Sequence, residues 1–404
     1  MFVPSRGGPL AGIRVVELGA FIAGPFCSQL LADMGAEVIK IEPPGCGDPM
    51  RQWGVEKTAS GRRLWWSIIG RNKKSLTLDL RRTEGQEIVR RLVGQADVLI
   101  ENFRPGTLER WNLDPEALRR VHPALVVARI SGFGQDGPYS DRPGFGAIAE
   151  SMAGLRHLTG EPDAVPARVG ISIGDSLAGL YGCIGVLASL CARGRRTEGG
   201  QVVDVAIAES VLGVLESVVA EYAATGAVRR RTGPILPRIA PSNLYPTREG
   251  KLILIAANAD GLFRKLAQLM GQPALGNDPR YATHTARGDR QAELDVLIGA
   301  WTETHTADEL LALMEEAGVP AGPVNDAAAV ATDPHFRARG AIVDVPDPEI
   351  GSVTMQGIFP KLSETPGRIA WTGPALGQHN EEVLCDRLGL SPQRLAELKA
   401  AGIV

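Results

Sequence analysis

The sequence predicts an α/β protein, with a large domain on a doubly wound parallel sheet and a smaller α+β domain. Three observations predict it. Over the first 135 residues, short apolar strand patterns alternate with helical ones. Several predicted strands run into Gly- or Pro-rich loops. Near residue 225 the texture changes to a Pro-, Gly- and Arg-rich stretch, with a second group of elements beyond it. A chain of 404 residues is long enough for two cores.

The elements follow in order. IRVVEL (13–18) is a short apolar strand, GPFCSQLLADMG (24–35) a helix and AEVIKIE (36–42) an alternating strand. KSLTLDL (74–80) is a strand, and TEGQEIVRRLVGQ (83–95) has apolar residues at helical spacing. Strand ADVLIEN (96–102), helix DPEALRRV (114–121) and strand ALVVARISG (124–132) complete the alternation. A long apolar helix runs to residue 192, and TEGGQVVDVAIAES (197–210) reads as a turn, a strand and a helix start. Residues 224–250 read as a linker or irregular loop. Strand KLILIAA (251–257) and helices at 260–271, 290–303 and 307–317 build the smaller domain. A strand-like stretch at 351–367 and two short helices near 380–389 and 391–401 close the chain. The expected domains are 1–223, 224–330 and a C-terminal segment, 331–404, that returns to the large domain.

Composition narrows the function. A net charge of −3 disfavours a broad nucleic-acid-binding face. The basic runs at 193–196 and 229–231 lie beside turn residues and read as solvated loop ends. Five cysteines without CxxC spacing argue against a disulfide framework or zinc ribbon and for a reducing cytoplasm. The opening MFVPSRGGPL has no apolar signal core, and the glycines in the apolar helix shorten it as a membrane span. The six histidines are scattered, which predicts no metal site.

Parallel sheets place ligands outside the carboxyl ends of their strands. The loops GAFIAGP, PPGCGD, ENFRPG and SGFGQDGP fall there, and they are expected to converge on one crevice. None is a GxGxxG fingerprint or a phosphate-binding P-loop. Arg71, Lys73 and Lys74, with Arg104 and Arg110, suit either phosphates or a solvated basic surface. Asp175 is the one acid in IGDSLAGLYG (173–182), ahead of almost twenty small and apolar residues. Two readings fit it. Asp is a preferred helix N-cap, and a carboxylate kept ionised by a helix N-terminus can also be a covalent nucleophile.

The chain resembles the class III CoA-transferases, the family of formyl-CoA:oxalate CoA-transferase, which also includes α-methylacyl-CoA racemases. The resemblance is carried by PLAGIRVVELGAFIAGPFCSQLLADMGAEVIKIEPPGCGDPMR, NKKSLTLDL, ADVLIENFRPGTLERWNL, ARISGFGQDGPY, GDSLAGLYGCIGVLASL, GGQVVDVAIAES and GVPAGPVN, in the family's order over nearly the whole chain. It implies a Rossmann-like large domain and a homodimer of interlocked chains. It also implies coenzyme A or an acyl-CoA as substrate, with no tightly bound cofactor. Asp175 matches the family's catalytic aspartate, which forms a mixed anhydride and then an enzyme–CoA thioester. Asn72, Lys73, Asn102, Phe103, Arg104 and Arg110 match coenzyme-binding positions. Ala20, Ile22 and Ala23 fall where the pantetheine and thioester lie. Ile22 replaces a glutamine of the oxalate enzyme. Phe145 stands where racemases carry a histidine and cannot transfer a proton, which argues against a racemase. GDPMRQWG, IAPSNLYPT and KLSETPGR look most like transferases using succinyl-CoA and C4 or C5 dicarboxylic acids. Arg168 and Arg238 are candidates for a distal carboxylate, or plain surface arginines. The alternatives are CoA transfer within one dicarboxylyl-CoA, such as mesaconyl-CoA, and racemisation.

Overall fold

The computed structural model describes residues 7–195 and 199–404, so the end of the first basic run, Arg196, lies outside the described residues. The chain divides into two compact units: Met1–Leu155, Val169–Ala220 and Pro334–Val404 form one, Arg156–Arg168 and Glu221–Asp333 the other. The C-terminal segment rejoins the large unit. Nothing in the sequence marks 156–168 as part of the smaller one.

The large unit is built on six strands: β1 (Arg14–Glu17), β2 (Glu37–Glu42), β3 (Lys73–Thr77), β4 (Val98–Glu101), β5 (Val126–Ser131) and β6 (Val202–Ala206). They lie in the order β3-β2-β1-β4-β5-β6, and every pairing is parallel. The order reverses between β1 and β4, and the loops leaving these two strands border the crevice that a doubly wound sheet opens at its switch point. Helices cover both faces, which is why the strands read as nearly continuous apolar runs. On one face, Val16, Ile39, Leu99 and Val127 pack with α3 and the C-terminal helices. On the other, Val15, Val38, Ile100 and Ala128 pack with α1 and α8. The helices of this unit are α1 (Ala23–Asp33), α2 (Trp65–Ile69), α3 (Thr83–Val93), α4 (Thr107–Arg110), α5 (Pro115–Val121), α6 (Gly146–Met152), α7 (Leu155–Leu158, shared with the smaller unit), α8 (Ile173–Ala192) and α9 (Ile207–Leu212).

α8 determines how the site is assembled. Its 20 residues make it long and apolar enough to cross a membrane by length and composition, despite its glycines. Those glycines instead form its packing face. A Cβ on Gly179 would stand 2.9 Å from Ala23 O, and one on Gly182 3.2 Å from Cys27 Sγ. α1 and α8 therefore run side by side with their N-termini at the same end.

The smaller unit carries an antiparallel sheet of β7 (Ser242–Pro246), β8 (Leu252–Ala256) and β9 (Ala321–Pro323). Its core holds Tyr245, Ile253, Phe263, Leu294 and Leu310. β7 corrects the reading of 224–250 as irregular: Pro241 and Pro246 bracket the strand and mask its signal. In the C-terminal segment, β10 (Ile342–Asp347) and β11 (Gly351–Gln356) form a hairpin, so the strand expected over 351–367 ends early. Residues 377–380 then cover the edge strand β3. Ser75 N donates to His379 Nδ1 (3.1 Å), His379 N to Ser75 O (3.0 Å) and Thr77 N to Asn380 Oδ1 (2.9 Å).

Candidate active site

Asp175 lies in the first turn of α8, and Ser172, three residues earlier, takes the N-cap position. The capping reading is thereby corrected. The carboxylate is half-buried and rests on Gly146, the first residue of α6, where an added Cβ would stand 2.4 Å from Oδ2 and 3.0 Å from Oδ1. The buried Glu150 of α6 accepts from Gly174 N at 3.3 Å, tying the α8 N-terminus to α6. The N-terminal end of α8 favours negative charge at position 175.

Four rings extend from this point. Phe145 meets Phe21 edge-on at 6.1 Å, Phe21 meets Trp53 at 5.7 Å and Trp53 meets Trp65 at 6.1 Å. Phe145 remains 64% exposed, so its ring is open to a ligand or a second chain. Phe21 belongs to the loop after β1 and has a left-handed backbone, φ 64°. Asn102, on the turn after β4, holds this loop across the switch point: Ala20 N donates to Asn102 Oδ1 and Asn102 Nδ2 to Ala20 O, both at 2.8 Å.

Beneath the loop lies a fully buried charge cluster. Lys40 Nζ contacts Glu17 Oε1 (2.7 Å), Gly19 O (2.6 Å) and Asp48 Oδ2 (2.8 Å). Lys73 Nζ reaches the second oxygen of Glu17 at 2.9 Å. Burial pushes the Glu17 carboxyl up, but Lys40 and Lys73 outweigh it and hold Glu17 down at about 2.

The structure separates the remaining sequence candidates. Ala20 lines a cavity of about 410 Å³ with Leu18, Pro43, Leu80, Phe103 and Trp111, at the carboxyl ends of β1, β2 and β3 and beside the turn after β4. Ile22 faces a different, apolar groove with Ser172, Ser176 and Trp65. Ala23 is buried against α8. Phe103 packs on Trp111 at 5.0 Å, and Arg104 and Arg110 are exposed. The Asn72 and Lys73 side chains are engaged within the protein. Lys73 is fully buried on Glu17, and Asn72 bonds Asp33, Arg368 O and Ala370 N. A buried ammonium needs its carboxylate, and no phosphate reaches it without breaking that pair. Of the four expected rim loops, those after β1, β2 and β4 line the cavity, but the one after β5 does not; the segment after β3, Leu78–Arg81, takes its place. Arg168 and Arg238 are exposed on the smaller unit, Arg238 paired with Asp289 at 2.5 Å.

A family model described as CoA-transferase family III matches residues 10–380. The chain belongs to CoA-transferase family III. Among relatives, it is 57% identical over 98% of both chains to the succinyl-CoA–D-citramalate CoA-transferase of Chloroflexus aurantiacus. It is 40% identical to the succinate–glutarate CoA-transferase of Agrobacterium fabrum, over 95% of this chain and 97% of that one. A crystal structure of a CaiB/BaiF family protein from Brucella suis superposes with a TM-score of 0.83 at 37% identity, covering 94% of this chain and 100% of that chain. Sequence reasoning did not single out Lys40 of the buried cluster, Trp53 of the ring chain, or Arg81 and Trp111 of the cavity wall. Only Arg81, directly after a predicted strand, carried a signal of the kind used for the other cations.

Proposed function

We propose that this family III transferase moves CoA from succinyl-CoA to a C4 or C5 dicarboxylic acid, D-citramalate being the first acceptor to test, with Asp175 as nucleophile. The observation that carries the reading is the Asp175 carboxylate: it sits in the first turn of α8, backed by Gly146, whose neighbour Phe145 meets the Phe21 ring. The likeness to the D-citramalate and glutarate enzymes supports the choice of acids.

The chemistry balances without water. An Asp175 oxygen attacks the donor thioester carbonyl, giving a mixed anhydride and CoA thiolate. The thiolate attacks the Asp175 carbonyl, releasing the donor acid as carboxylate and leaving an aspartyl–CoA thioester. The acceptor carboxylate attacks that thioester, giving a second anhydride and again the thiolate. Attack of the thiolate on the acceptor acyl carbon forms the new acyl-CoA and restores the Asp175 carboxylate. Anhydrides hydrolyse readily, so the ring wall matters for excluding water. Coenzyme A enters as substrate through the cavity beside Ala20 and Phe103, with Arg81, Arg104 and Arg110 available to its phosphates. The working form is a homodimer.

The test is Asp175→Asn. Exchange between succinyl-CoA and a panel of dicarboxylates is expected to fall by ~10³-fold or more while the protein stays folded. Mass spectrometry after hydroxylamine trapping is expected to mark Asp175 in the parent enzyme. Retained turnover ends the assignment. Deuterium entering the α-position from heavy water would point to racemisation instead.

A further inference from the structure

We propose that Lys40 is a positioning residue for acyl transfer: its ammonium, bonded at once to the Gly19 carbonyl and the Asp48 carboxylate, sets where the 19–22 loop stands against Asp175. The inference rests on the Asp175 reading above.

Lys40 contacts three oxygens that lie on three different segments: Glu17 on β1, Gly19 in the loop that follows, and Asp48 in the loop after β2. Asp48 passes the constraint on, since its other oxygen accepts from Phe21 N at 3.3 Å and from Met50 N at 2.9 Å. Phe21 is thus held from both sides, by Asp48 and through Ala20 by Asn102. That grip matters because a phenylalanine at φ 64° keeps such a backbone only where its surroundings over-determine it. The Phe21 ring in turn meets Phe145, whose neighbour Gly146 underlies the Asp175 carboxylate.

A buried ion cluster is seldom more stabilising than apolar side chains of equal volume. What the charge adds here is direction. An ammonium with three fixed acceptors holds a loop in one place, which a methionine could not do. Burial draws the Lys40 ammonium down, and the Asp48 and Glu17 carboxylates outweigh it, so Lys40 stays charged across the working range.

The experiment compares Lys40→Met, Asp48→Asn and the double variant with the parent enzyme, using succinyl-CoA and D-citramalate. Asp48→Asn keeps an oxygen for the Phe21 and Met50 amides and removes only the charge facing Lys40, so it carries the test should Lys40→Met fail to fold. Lys40→Met is expected to lower kcat by about 10- to 100-fold with KM for succinyl-CoA within about threefold. Asp48→Asn is expected to lose less in the same sense, and the double variant no more than Lys40→Met alone. A purely structural role would lower the melting temperature and leave kcat per folded enzyme untouched, so kcat within about twofold of the parent in both single variants overturns the proposal. Trapping separates the two levels. An adduct on a residue other than Asp175 in the parent ends the nucleophile reading. An adduct on Asp175 forming at the parent rate in both variants ends the role of Lys40 alone.

Discussion

Gly146 leaves no room for a side chain, because the space a Cβ would take is occupied by the Asp175 carboxylate. Gly146→Ala is therefore expected to fold, since alanine suits a helix start, and to displace the carboxylate. A fall of about tenfold or more in kcat, read in the exchange assay on protein with a parent-like circular dichroism spectrum, corresponds to ~1.4 kcal/mol of lost transition-state stabilisation. Unchanged kcat would mean that the carboxylate does not work from this position. Asp175 stood out in the sequence as a lone acid before a long apolar run, but a helix cap explained it as well as chemistry did until the structure gave the cap to Ser172. Lys40 did not stand out. A lysine inside VIKIE reads as the solvent side of an alternating strand, and only the three-dimensional meeting of Glu17, Gly19 and Asp48 turns it inward. Lys73 differs the other way: a basic run before a strand suggests phosphate or a solvated surface, yet a sheet covered on both faces buries this side chain.

At the level of elements, the parallel sheet followed from periodicity, because β1, β2, β4 and β5 are short, mostly apolar runs bounded by turn residues. What periodicity could not supply is how a distant segment guards an edge. Residues 377–380 do this for β3, and one of their contacts is pH-sensitive. His379 Nδ1 accepts the Ser75 N–H, so the ring is held neutral, and burial pulls its pKa below the usual 6.5. The unfolded chain then binds more protons than the folded one as pH falls through about 6.5, so stability is lost in that direction and recovered above it. Chemical denaturation of the parent at roughly pH 7.5 and 5.5 is expected to show this loss, and His379→Ala to show a smaller pH dependence over the same window. An equal dependence in both proteins would remove His379 as its source.

For the whole molecule, apolar side chains left exposed on neighbouring helices bear on assembly. Ile148 and Met152 of α6, Leu180 and Ile184 of α8 and Leu212 of α9 are each 42–60% exposed. Such a concentration suits a protein partner, and a second copy of this chain is the expected one. Analytical ultracentrifugation is expected to give twice the 42.9 kDa chain mass, and Ile184→Glu to shift the protein toward the monomer. A parent sedimenting as a monomer at micromolar concentration would refute this. The path of the chain has another consequence. The sheet face bearing Val16, Ile39 and Leu99 is sealed partly by Val383, Leu388, Leu395 and Ile403, which lie far downstream of the strands they cover. At ~5–20 residues per second, roughly 10–50 s separate the emergence of β5 from the arrival of those residues. During synthesis the nascent protein thus carries a greasy half-covered platform until its lid emerges from the ribosome.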